Sequence, residues 1–120
     1  MISANYNELK WGLEELSNKE EQLRLWCGVA NESNEISSLS EASCSVFNYD
    51  VERILSNKQA SFSLPIENVS LLRELSKKLK AIPSGLSPLE QVEHPEMEEV
   101  RRLASDLLAQ LHREELPLDR

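Results

Sequence analysis

The sequence predicts an all-α protein, a single small domain of about five helices packed as an irregular antiparallel bundle. Three observations predict it. Leucine occurs 20 times, against 11 valines and isoleucines together, and threonine is absent. Glutamate occurs 18 times and aspartate only 3. Leucine and glutamate lose little rotamer freedom in a helix, whereas β-branched residues favour strands. Glycine occurs only three times, so hairpin turns of the Asn-Gly or Asp-Gly kind have no material.

Each element follows from caps and apolar spacing. Asn5-Tyr6-Asn7-Glu8 has the form of a capping box, and Tyr6, Leu9, Leu13 and Leu16 recur at helical spacing. Ser17-Asn18-Lys19-Glu20 repeats the signature, with Leu23, Trp26 and Cys27 as the next stripe and Gly28 as its stop. Residues 6–27 thus read as two short helices or one long kinked helix. The aperiodic stretch 29–37 reads as a loop. Ser38 to Glu41 caps a third helix, and Asn48-Tyr49-Asp50 marks a possible break before Asn57 ends it. Residues 58–64 read as a packed loop.

Pro65 suits a first helical turn, and Ile66, Val69, Leu72, Leu75, Leu79 and Ile82 then step by threes and fours. Pro83-Ser84-Gly85 stops that helix. Ser87-Pro88-Leu89-Glu90 combines a cap, a proline and a glutamate at the third position, and predicts a short helix to about residue 93. Pro95 restarts the chain, because a residue before proline avoids helical geometry. Met97, Val100, Ala104, Leu107 and Leu111 then form the clearest stripe. Residues 115–120 are expected to fray.

At 120 residues and 40% apolar composition, the chain is long enough to close one core without disulfides or metal. Neither an N-terminal signal nor a membrane span is visible, so a cytoplasmic location and no membrane partner are expected. The formal charge is −8. Such a surface is repelled by phosphate backbones, which argues against direct nucleic-acid binding, and it steers encounter with a basic protein. The charge is unevenly placed. Residues 1–40 carry 3 basic and 7 acidic groups, 41–86 carry 6 and 5, and 87–120 carry 4 and 9. Both ends are acidic and would form one negative face if they packed side by side.

No catalytic pattern stands out. The histidines, His94 and His112, lie in neither His-Glu-x-x-His nor Glu-x-x-His, so no metal and no cofactor are expected. The paired carboxylates 14–15, 20–21, 98–99 and 114–115 fall on solvated helical faces. Catalysis would require burial or a partner that separates their pKa values. None of the 16 serines sits in Gly-x-Ser-x-Gly, and three scattered glycines form no phosphate loop. Cys27 and Cys44 have no metal-ligand partner nearby in sequence. Arg73, Lys77, Lys78 and Lys80 form the one basic cluster; Glu74 pairs with Lys78 at i, i+4 in this reading, and the cluster suits the helix C-terminus.

What remains is a non-enzymatic protein-binding domain. The expected partner is a basic protein, and the role that of a bacterial-type immunity protein or inhibitor blocking a cationic toxin or nuclease. The candidate contact residues are Trp11, Glu14, Glu15, Glu21, Glu98, Glu99 and Asp106. Trp11 lies off the Leu9-Leu13-Leu16 stripe and suits an interface anchor, whereas Trp26 is expected in the core. The alternative is an adaptor or assembly subunit that self-associates through the Leu-rich helices 66–82 and 95–113. Monomer or homodimer stays open.

Overall fold

Asn18 decides the first architectural question. It leaves helical geometry, with φ −123° and ψ 106°, and its side chain accepts a hydrogen bond from the Glu21 backbone N–H. Residues 6–27 are therefore two helices, with Asn18 rather than Ser17 as the cap of the second. The computed structural model describes residues 4–32 and 35–115, with side chains to residue 114. It contains α1 (Ala4–Ser17), α2 (Lys19–Cys27), α3 (Leu39–Val46), α4 (Tyr49–Leu55), α5 (Ile66–Lys80), α6 (Pro88–Glu93) and α7 (Pro95–Glu115). The protein is all-helical among the described residues. Among these residues seven helices stand where about five were expected, because every capping signature that left a choice open resolves as a break. The frayed tail expected at 115–120 lies outside the described residues, apart from the backbone of Glu115 at the end of α7.

The caps show why the breaks fall where they do. Asn48 accepts from the Val51 N–H and donates to the Ser45 and Asn5 carbonyls, which separates α3 from α4. Ser38 caps α3 through the Glu41 N–H. Ser87 and Glu90 form both halves of a capping box. His94 has extended geometry before Pro95, and its Nδ1 accepts from the Glu96 N–H, capping α7. Gly28 ends α2 in the left-handed region at φ 76°, where a side chain would be strained. Asn57 follows α4 at φ 59°, a conformation that asparagine tolerates. Asn5 is not a cap. It lies inside α1 and its side-chain amide donates to Asp50.

α7 is the central element. It packs against α1 on one side and α5 on another, while α3 lies along α1 and α6 covers α2. Met97, Val100, Ala104, Leu107 and Leu111 are all buried, as are Leu9, Leu13 and Leu16 of α1 and Leu72 and Leu75 of α5. The leucine stripes of α5 and α7 are thus occupied within the protomer. Ile66 departs from its stripe and is exposed. The 58–64 segment is a packed loop as expected, and Phe62 meets Tyr6 edge-to-face at 5.2 Å between centroids.

Two buried polar centres lock the periphery. Gln22 is fully buried in α2. Its Nε2 donates to the Glu15 and Leu16 carbonyls at the end of α1, and its Oε1 accepts from Arg101 at 2.7 Å. Arg101 also donates to the Val92 carbonyl and to Glu98, so one guanidinium joins α2, α6 and α7. Asp50, in the first turn of α4, accepts from the Asn5 amide and from the Ser61 N–H and hydroxyl.

These donors hold the Asp50 carboxyl below its ordinary value, the Ser61 hydroxyl being the largest cause and Asn5 next. Bonds to the charged form stabilise the fold only while the carboxyl is ionised. The contribution is complete above the unfolded value of about 4 and is lost as pH falls through the lowered folded value. Asp50→Asn therefore lowers stability at neutral pH and flattens its fall in acid. Urea denaturation of both proteins across the acid range checks this; parallel curves would contradict it.

Candidate functional site

The residues that carry the site come from the C-terminal half of α1 and the facing side of α2. On a helix surface a residue neighbours those three and four positions on. Trp11 therefore stands beside both Glu14 and Glu15. The apolar face of α1 is turned inward through Leu9, Leu13 and Leu16, which leaves Trp11 on the outer flank with 61% of its surface exposed. The turn at Asn18 folds α2 back beside this flank.

The result is a groove of about 420 Å³. Trp11, Glu14, Glu15 and Ser17 of α1 line it with Asn18, with Glu21 and Leu25 of α2, and with Leu108 of α7. Four of the seven residues singled out in the sequence meet here: Trp11, Glu14, Glu15 and Glu21. No lysine, arginine or histidine lines it. The C-terminus of α1 and the N-terminus of α2 meet at Asn18, so their opposite dipole ends offset one another there.

The three carboxylates are not equivalent. Glu21 takes a two-pronged bond from Arg24, Nε at 3.0 Å and a terminal nitrogen at 2.9 Å, and that guanidinium holds it below its ordinary pKa. Glu15 accepts the Trp26 indole N–H at 2.6 Å through Oε2. This bond explains how Trp26 is buried without an orphaned donor. Glu14 is exposed and makes no ion pair or side-chain hydrogen bond among the described residues. The groove therefore presents one unengaged carboxylate, one half-engaged carboxylate and a bare indole.

Glu98, Glu99 and Asp106 lie on α7 and outside the groove lining. Glu98 meets Arg101 at 3.3 Å; Arg102 meets Glu99 at 2.8 Å and Asp106 at 3.4 Å. Arg102 and Glu99 shift one another's pKa in the directions expected of a mutual hydrogen bond. α1 and α7 do pack side by side, but on this stretch of α7 each of the three acids is already paired with one of its own arginines.

Other candidates resolve differently. Three of the four residues of the basic cluster on α5 are engaged: Arg73 donates to the Leu55 carbonyl, Lys77 meets Glu74, and Lys78 meets Glu96. The expected Glu74–Lys78 pair is thus replaced by Glu74–Lys77 and a longer-range bridge to α7. Cys27 and Cys44 are both free thiols, and burial, with Glu93 nearby, pushes the Cys27 thiol up. No group of His, Cys, Asp and Glu among the described residues is arranged to hold a metal ion. A depression of about 470 Å³ beside the 57–64 loop has Lys58 as its one charged residue. Another of about 350 Å³ lies between α3 and α5, with Cys44, Phe47 and Leu79 in its wall and Glu52 and Lys80 at opposite charge.

Sequence reasoning missed Leu25, Leu108, Ser17 and Asn18 as groove residues, and Gln22 and Arg101 as the support beneath them. One signal was present for Gln22. It precedes Trp26 by four positions and so shares the face that Trp26 buries. Fold and groove together define a small helical domain with an acidic, tryptophan-walled groove. No protein-family model matches this chain, and no curated protein or solved structure is significantly similar to it. No helix among the described residues is long and apolar enough to cross a membrane.

Proposed function

We propose that this chain is a protein-binding domain that docks a basic protein in the α1–α2 groove, in the manner of an immunity protein or inhibitor that covers a cationic surface. The observation that carries the reading is the exposed Trp11 beside Glu14 and Glu15, in a groove without a basic residue. An exposed tryptophan costs solvation and contributes little to this core. Tryptophan is also among the side chains that most often dominate binding energy at interfaces. The carboxylates and the formal charge of −8 supply long-range attraction, which speeds encounter with a cationic partner and repels other acidic proteins. Glu98, Glu99 and Asp106 recede in this reading, because each is already paired with Arg101 or Arg102.

The test is affinity capture with the wild type and with a Trp11→Ala, Glu14→Gln, Glu15→Gln variant, at low and high salt, identifying what is retained. A basic protein held by the wild type, released by salt and lost by the variant is the expected outcome. Trp11→Ala alone should weaken such a complex by about 2 kcal/mol or more. Equal retention by both proteins would place the binding surface elsewhere.

A further inference from the structure

We infer that the group received by the groove is an arginine side chain of the partner, its guanidinium stacked on Trp11 and bonded to the carboxylates. This rests on the reading of the groove as the docking surface for a basic protein, and names the residue type that surface selects.

Three features select arginine over lysine. The first is the indole, 61% exposed on the wall of the groove. A planar, weakly hydrated guanidinium stacks on such a face, whereas an ammonium retains its water and acts as a point charge. The second is the placement of acceptors. Glu14 and Glu15 follow Trp11 by three and four positions, so both carboxylates stand one turn from the ring, near a cation stacked on it. Glu14 is unengaged among the described residues, and Glu15 has given only Oε2 to Trp26. A fork of five N–H donors can reach both. The third is the apolar part of the lining. Leu25 and Leu108 offer hydrocarbon to the three-carbon stem of an arginine. Arg24 shows the same chemistry within the chain, where its fork grips Glu21. A second copy of this chain is a poor occupant. Its own charge is −8, and three of the four basic residues on α5 are already engaged.

The experiment uses the full chain, labelled with nitrogen-15, and two capped pentapeptides, Ala-Ala-Arg-Ala-Ala and Ala-Ala-Lys-Ala-Ala. The arginine peptide should shift the Trp11 indole N–H and the amides of residues 14–18. It should saturate at a concentration about two- to fivefold lower than the lysine peptide. Trp11→Ala should remove that preference. Glu14→Gln with Glu15→Gln should weaken both peptides, and unchanged α5 resonances would show that each variant is folded. Equal affinity of the two peptides at these resonances would overturn the arginine assignment while leaving the docking surface standing. So would a basic protein that occupies the groove while neither peptide does. If no basic protein occupies the groove, the docking reading fails with it.

Discussion

Replacing Arg101 with methionine should lower the unfolding free energy by about 2–4 kcal/mol. The loss comes from what Arg101 leaves behind. The Gln22 Oε1 and the Val92 carbonyl both lose a donor, and each unsatisfied buried acceptor costs about 1–3 kcal/mol. Gln22→Ala should cost as much by the reverse route. The carbonyls at the end of α1 lose their donor, the Arg101 guanidinium loses an acceptor where its side chain is only 10% exposed, and a cavity opens. The two losses overlap. Gln22→Ala with Arg101→Met removes donor and acceptor together, so the double variant should lie well above the sum of the singles, with a coupling of about 1–3 kcal/mol. Denaturant titration of the four proteins measures this. Additive losses would show that the two side chains act independently.

Gly12→Ala should destabilise by about 1–3 kcal/mol, against the direction of helix propensity. Alanine is the better helix former by about 1 kcal/mol, so a free helix would gain from the change. The surroundings decide otherwise. A Cβ on Gly12 would stand 2.6 Å from the Val46 Cγ2, 2.8 Å from the Ala42 carbonyl oxygen and 3.0 Å from the Val46 nitrogen. Two of those atoms are α3 backbone and cannot swing aside, so α3 must move off α1. Thermal or denaturant unfolding of Gly12→Ala checks the sign. A gain in stability would mean that α1 and α3 lie further apart than described.

Both effects centre on residues that the sequence left unremarked, and the reason is physical. Spacing of leucines identifies which face of a helix turns inward, and it correctly indicated Leu9, Leu13 and Leu16, and Met97 through Leu111. It says nothing of which helix covers that face. Gly12 matters only because α3 crosses there, and Arg101 only because α2 and α6 converge on it. Local signals fared better: Ser38 and Ser87 each accept from the N–H three residues on, and their caps were legible before any contact was known. Asn5 and Ser17 carried the same local signature and do something else. Asn5 reaches Asp50, 45 residues away, and Ser17 bonds the Glu14 carbonyl within its own helix.

The candidate site was legible in half. Trp11, Glu14, Glu15 and Glu21 lie within 11 positions, and the turn at Asn18 brings them together. Glu98, Glu99 and Asp106 were chosen for charge alone. Charge counts do not reveal that Arg101 and Arg102 lie one turn away on the same face.

Hydrogen exchange of the chain, free and saturated with the basic protein it retains at low salt, tests the proposed docking in the α1–α2 groove. Added protection is expected within residues 11–25, with the Trp11→Ala, Glu14→Gln, Glu15→Gln variant showing none. Protection centred instead on α5, or on the face of α7 around Glu98 to Asp106, would overturn the proposal.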